Sequence, residues 1–238
     1  MINIYKDKYE LAVAFCEELV HLSKSKVKFN IALSGGSTPE IIFQELSKNY
    51  KDRIDWSKIH LFWGDERCVP PDNIDSNYRM TKKHLLDNIN IPIDNVHRIL
   101  GENDPSIEAD RYSEELRKKI NLKNELPAFD IILLGMGEDG HTASIFPDQL
   151  NLINSENICE VAVHPTTSQK RITLTGKVIN NSEMIVFLVT GQNKSEVLKK
   201  VIVDKDKTLP ATFIGHYAGG LKFFIDEAAA SYIKNFQT

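Results

Sequence analysis

Residues 28–50 read KFNIALSGGSTPEIIFQELSKNY: a strand-length, largely apolar run, two adjacent glycines, then apolar residues at helical spacing. A strand that is apolar on both faces belongs in a parallel sheet covered by helices on either side. The same order recurs along the chain. KIHLFWGD (58–65) precedes SNYRMTKKHLLDNI (76–89), and VHRIL (96–100) precedes SIEADRYSEELRKKI (106–120). FDIILLGMG (129–137) stands alone, and EMIVFLVTG (183–191) precedes QNKSEVLKKVI (192–202). RITLT (171–175) and LKFFID (221–226) read as late strands, and Leu11, Phe15, Leu19 and Leu22 mark an opening amphipathic helix. The polar stretch 101–127 keeps a narrow apolar stripe at Tyr112, Leu116 and Ile120, so it reads as a surface helix between loops and not as a linker. The alternation predicts an α/β protein with a mostly parallel sheet and helices on both faces, and 238 residues suit one domain, 1–238.

Composition narrows the function classes. The chain is 42% hydrophobic and 26% charged, and 29 basic against 33 acidic residues leave a net charge of −4 with no long basic run. That lacks the footprint of a nucleic-acid or anionic-membrane binder. The longest apolar runs, 11–16 and 184–189, are far short of a membrane span. Cys16, Cys68 and Cys159 are odd in number and widely spaced, without C-x-x-C, which fits a reducing cytoplasm.

In parallel sheets, ligands gather where loops leave the carboxyl ends of strands. SGGSTP (34–39) is such a loop. Gly35 and Gly36 let a ligand approach the backbone, Ser37 and Thr38 offer hydroxyls, and Pro39 suits a first helical turn whose free N–H groups attract an anion. On the loop alone, a phosphate cradle and a well-capped turn are equally supported; the spacing is not that of a nucleotide P-loop. Arg171 and Lys194 are downstream cations suited to a dianion, although either alone reads equally as a solvated surface charge.

GMGEDGHTASIFP (135–147) contains a literal G-x-G-x-x-G at Gly135, Gly137 and Gly140. A dinucleotide fingerprint needs a long helix after the third glycine, whereas Pro147 follows seven residues later and Asp139 would repel a diphosphate. What remains is a turn presenting Asp139 and His141 at a strand end, with the hydroxyls of Thr142 and Ser144 beside them. An imidazole oriented by a carboxylate suits proton transfer near neutrality. GDERCVP (64–70) places Asp65, Glu66 and Arg67 in the same row of strand ends. Alone these charges read as a solvated loop; beside His141 they suggest a polar pocket in which Arg67 meets charge developing on an oxygen. His60, His84, His97, His164 and His216 stand in no metal-ligand spacing, so no metal or other cofactor is expected.

LSGGSTP, WGDERCVPPDNIDSNYRM, FDIILLGMGEDGHTASIFP, RITLT, LVTGQNK, LPATFI and FFIDEAA occur in that order between residues 33 and 230. On these motifs the chain resembles the family of 6-phosphogluconolactonases and glucosamine-6-phosphate deaminases. The resemblance implies a modified doubly wound, Rossmann-like sheet and a small sugar-phosphate ligand. It also implies that Gly35, Gly36, Ser37, Thr38, Arg171 and Lys194 hold the phosphate and that His141 accepts a proton. By the same analogy Asp65, Asp139 and Glu66 belong to the polar wall and Arg67 lies near the lactone. Deaminases typically read HIAFNEP where this chain has HTASIFP, which puts Phe146 in place of a carboxylate, and D-E-Y where it has Asp65, Glu66 and Arg67. Both departures point to the lactonase branch: hydrolysis of 6-phospho-D-glucono-1,5-lactone to 6-phospho-D-gluconate, in the oxidative pentose phosphate pathway. The alternatives are ammonia release from an amino sugar phosphate, or a non-catalytic sugar-phosphate sensor, for which the chain shows no DNA-binding unit.

Overall fold

A computed structural model describes residues 1–215 and 220–233. In chain order the elements are β1 (Ile2–Tyr5), α1 (Lys8–Lys24), β2 (Phe29–Leu33), α2 (Ser37–Glu45), β3 (Ile59–Trp63), β4 (Asp65–Arg67) and α3 (Asn77–His84). There follow β5 (Val96–His97), α4 (Pro105–Lys119), β6 (Leu122–Lys123), β7 (Leu126–Pro127) and β8 (Ile131–Leu134). The chain then forms β9 (Cys159–Val163), β10 (Lys170–Leu174), α5 (Gly176–Asn180), β11 (Ile185–Val189), α6 (Ser195–Lys199) and β12 (Leu221–Asp226).

Seven strands form the central sheet in the order β1-β12-β11-β8-β2-β3-β5, and every pairing is parallel. β2, β8 and β11 are buried along their whole length, which is why their sequences do not alternate. Each large apolar side chain withdrawn from water there contributes about 1.5–3 kcal/mol. Helices α1, α2 and α3 pack side by side, and α4 buries Tyr112 and Leu116, with Ile120 just past its end, as the stripe predicts. The Tyr112 hydroxyl donates to the Trp63 carbonyl (3.1 Å) and accepts from the Trp63 N–H (2.9 Å), tying α4 to the end of β3.

From β2 the chain winds outward through β3 to β5, then returns to place β8 on the other side of β2. Strand order reverses between β2 and β8, the position where open sheets part to form a ligand crevice. The loops after these two strands are SGGSTP and GMGEDGHTASIFP.

A second, antiparallel sheet, β4-β10-β9, roofs this crevice. Here the structure departs from the sequence reading. The charged triplet Asp65-Glu66-Arg67 is not a solvated loop but a strand, with Asp65 5% and Glu66 2% exposed. RITLT is a strand of this sheet and not of the central one.

Candidate active site

Gly36 caps α2 at φ +105°, a left-handed conformation that glycine adopts without the clash a side chain would bring. No side chain caps the helix, so its first N–H groups and the positive end of its dipole face the crevice. The Thr38 and Thr190 hydroxyls share a hydrogen bond of 2.8 Å that joins the first turn of α2 to the end of β11. One residue on, Gly191 turns at φ +97° and leads into the short turn that carries Lys194. Both carboxylate oxygens of Asp226, at the end of β12, accept the Gly191 N–H at 3.0 Å, and Oδ1 also accepts the Ala229 N–H at 2.8 Å. Lys194 therefore enters the cleft from a turn fixed by a buried acid.

The β8 loop brings the imidazole in from the neighbouring strand. The Gly137 N–H donates to the His141 carbonyl (2.9 Å) and the Gly140 N–H to the Gly137 carbonyl (3.1 Å), closing a tight turn. A Cβ on Gly137 would collide with the His141 ring, so the glycine is required by proximity. Asp139 Oδ1 lies 2.6 Å from His141 Nδ1 and accepts the His141 main-chain N–H at 3.1 Å. Burial pushes the Asp139 carboxyl up, but the hydrogen bond and charge of His141 outweigh it and hold the group below its ordinary value. An ionised carboxylate only accepts, so Nδ1 carries a proton, and in the neutral ring the lone pair is on Nε2. The ring is 27% exposed and lines the cleft. Behind it Phe146 is fully buried, with ring centroids 4.9 Å apart.

On the roof, Arg67 of β4 and Arg171 of β10 stand directly opposite one another. Arg67 Nη1 donates to the Asp75 carbonyl, Arg171 Nη1 reaches Ser144 Oγ at 3.5 Å, and the Arg171 guanidinium lies 5.6 Å above the Phe146 ring. Burial and the facing Arg67 both pull the Arg171 pKa down. The Nε atoms of both arginines are buried and have no hydrogen-bond partner among the described residues. Two facing cations with donors to spare favour an anion. Asp65 accepts from the Ser144 hydroxyl at 2.6 Å and fixes that corner of the cleft.

One cleft thus collects His141, Arg67, Asp65, Arg171 and Lys194 over the SGGSTP loop, where Gly35, Gly36, Ser37 and Thr38 form the floor. Asp139 stands behind His141. Glu66 is not brought to the cleft: its carboxylate accepts from the main-chain N–H groups of Arg67, Asn77 and Tyr78 and from the Ser76 hydroxyl, at 2.7–3.0 Å, and so anchors the start of α3. Sequence reasoning missed Asn77, which lines the cleft and donates to the Asp65 carbonyl at 2.9 Å, and Asp226. An acid closing the buried run LKFFID was the available signal for Asp226; Asn77 carries none. Among the described residues no three of His, Cys, Asp and Glu converge as a metal site, and no helix is long and apolar enough to cross a membrane. His216 lies outside the described residues.

An anion-attracting helix end and a carboxylate-held imidazole at the switch point of a parallel sheet define an α/β protein whose cleft suits a small anionic ligand. The family model described as glucosamine-6-phosphate isomerases/6-phosphogluconolactonase matches residues 6–222, and the chain belongs to that family. A 6-phosphogluconolactonase of Haemophilus influenzae is 43% identical over 90% of this chain and 91% of its own length. The human 6-phosphogluconolactonase is 32% identical over 97% and 92%. The solved 6-phosphogluconolactonase of Trypanosoma brucei superposes with a TM-score of 0.88 at 28% identity, covering 98% of both chains. A monomeric glucosamine-6-phosphate deaminase, 20% identical with a TM-score of 0.83, shares the fold.

Proposed function

We propose that this chain hydrolyses 6-phospho-D-glucono-1,5-lactone to 6-phospho-D-gluconate, with His141 as general base and the whole chain as one sugar-phosphate hydrolase domain. The observation that carries the reading is His141, held at Nδ1 by Asp139, lining the same cleft as the uncapped α2 terminus and Lys194. The names of the relatives support the substrate. Phe146, buried against His141, supports lactone over amino sugar, since a phenyl ring supplies none of the carboxylate chemistry that deaminases place there.

In this reading the sugar phosphate binds the SGGSTP loop, Lys194 and Arg171, and the ring lies across the cleft with its ester carbonyl beside His141. Nε2 takes a proton from water as the water oxygen bonds to the carbonyl carbon. Charge on the carbonyl oxygen is met by Arg67. The bond from the carbonyl carbon to the ring oxygen then breaks, Nε2 returns its proton to that oxygen, and the new acid ionises to carboxylate. Asp139 keeps the imidazole in the required tautomer throughout. Three free cysteines and the relatives' metabolic names support a place in the oxidative pentose phosphate pathway of the cytoplasm.

The test is acid release from freshly generated lactone against the spontaneous background. The wild type accelerates it; His141→Ala folds, binds 6-phosphogluconate and loses about 10²- to 10⁴-fold in kcat. No acceleration by the wild type, or ammonia release from glucosamine 6-phosphate in its place, overturns the reading.

A further inference from the structure

Beside the cleft is a second pocket lined by Arg67, Asp75, His164, Thr167, Gln169 and Arg171. The two arginines are shared with the cleft, so the pocket opens off the wall next to the reacting centre. His164 is built into it firmly. The turn between β9 and β10 closes with the His164 N–H on the Gln169 carbonyl (3.0 Å) and the Ser168 N–H on the His164 carbonyl (2.9 Å). His164 Nδ1 accepts the main-chain N–H groups of Thr166 (3.2 Å) and Thr167 (3.3 Å). An accepting Nδ1 leaves the neutral ring with its proton on Nε2, as a hydrogen-bond donor. Burial and the nearby charge of Arg171 pull the His164 pKa down, which favours the neutral ring. Its edge rests on Phe146, centroids 5.1 Å apart, the same ring that backs His141. One fully buried phenyl ring therefore touches both imidazoles.

Resting on the proposed function, we propose that this pocket receives the carboxylate created by ring opening, held by Arg67 and the Nε2–H of His164, while Arg171 stays with the phosphate. The lactone carbon is uncharged before reaction and carries a carboxylate afterwards, so the product has one more anion than the substrate. The Arg67 guanidinium and the His164 donor line the pocket and supply hydrogen bonds that a carboxylate can accept. Asp75, an exposed residue at the pocket's rim, engages Arg67 through its main-chain carbonyl. His164 is then a product-binding residue, outside the hydrolytic chemistry.

Calorimetry with two phosphorylated open-chain ligands separates this subsite from the phosphate site. 6-Phosphogluconate carries the carboxylate; glucitol 6-phosphate has a hydroxymethyl group in its place. The wild type binds 6-phosphogluconate more tightly by about tenfold, the scale of a charge-assisted hydrogen-bond set. His164→Ala brings the two affinities close together, and His164→Gln, which restores a donor, recovers much of the preference. Glucitol 6-phosphate affinity stays the same in all three proteins. A preference unchanged in His164→Ala, or a loss shared equally by both ligands, overturns the subsite while leaving the hydrolytic reading intact. Absence of lactone turnover by the wild type sinks the hydrolytic reading itself.

Discussion

At the scale of single residues the site works by fixing which atoms carry protons. Asp139 lies 2.6 Å from His141 Nδ1 and is held below its ordinary pKa, so it stays ionised, accepts a hydrogen bond from Nδ1–H and leaves Nε2 of the neutral ring to take a proton. An amide has no such preference. Asp139→Asn should fold normally and bind 6-phosphogluconate with wild-type affinity, yet lose about 10²-fold or more in kcat, a split read by steady-state kinetics beside calorimetry. An equal loss of ligand affinity would mean that Asp139 shapes the pocket instead of the tautomer. Glu66 makes the opposite case. It is 2% exposed, and burial drives its pKa up even though four donors converge on it. Glu66→Ala strands those donors, so a loss of about 2–4 kcal/mol in urea unfolding is expected. Activity should fall with it, because Arg67 and Asn77 are both anchored there.

At the scale of elements, the phosphate side of the cleft depends on two strand-to-helix turns and an acid that faces neither ligand nor solvent. Asp226 holds Gly191, and Gly191 begins the turn that carries Lys194. Asp226→Ala should raise KM several-fold, on the order of one to two lost hydrogen bonds, while kcat stays near wild type. An unchanged KM would show that the turn holds itself. Gly36→Ala probes the other turn: nothing lies near the added methyl, but φ of +105° strains it, so a stability loss of about 1–2 kcal/mol and a weaker phosphate site are expected in thermal melts and titrations. The buried strands β2, β3, β8 and β11 were legible in the sequence because they are covered along most of their length and their residues are largely apolar, with Asn30 and His60 the polar exceptions. So were the two glycine-rich loops, since a turn after such a strand has few other uses. β4 was not, because Asp65 and Glu66 are charged; their burial depends on Ser144, Asn77 and the turn before α3, partners that lie 10 to 79 residues away. His164 was hidden for the same reason, as its meaning comes from Phe146 and Arg171 across the turn.

At the scale of the whole molecule, an all-parallel sheet places its chemistry along one rim and leaves its outer strands to be stabilised by other means. At the β5 edge that means is a chain of polar groups. Glu115 accepts from His97 Nδ1 at 2.8 Å, and His97 Nε2 lies 3.1 Å from His60 Nδ1, so a neutral His60 donates to His97. Burial first, then Lys28, His97 and Lys119, lower the His60 pKa from 6.5 to about 4. The folded state therefore prefers the uncharged ring. Above pH 6.5 neither state binds the proton and stability is fully present; as pH falls through 6.5 the unfolded chain takes up a proton that the folded chain refuses, and stability is lost until about pH 4, where both are charged. Because the ring is partly exposed, solvent screening reduces the effect, and a loss of about 1 kcal/mol between pH 7 and pH 5 is expected from this residue. His60→Gln keeps a donor for His97 but cannot titrate, so its urea midpoint should change less over the same interval. Carboxylates held below their ordinary values, such as Glu115, contribute further down the scale, and His164, also lowered, contributes equally to wild type and variant. Equal slopes for wild type and variant across that window would show that the edge is indifferent to the charge on His60.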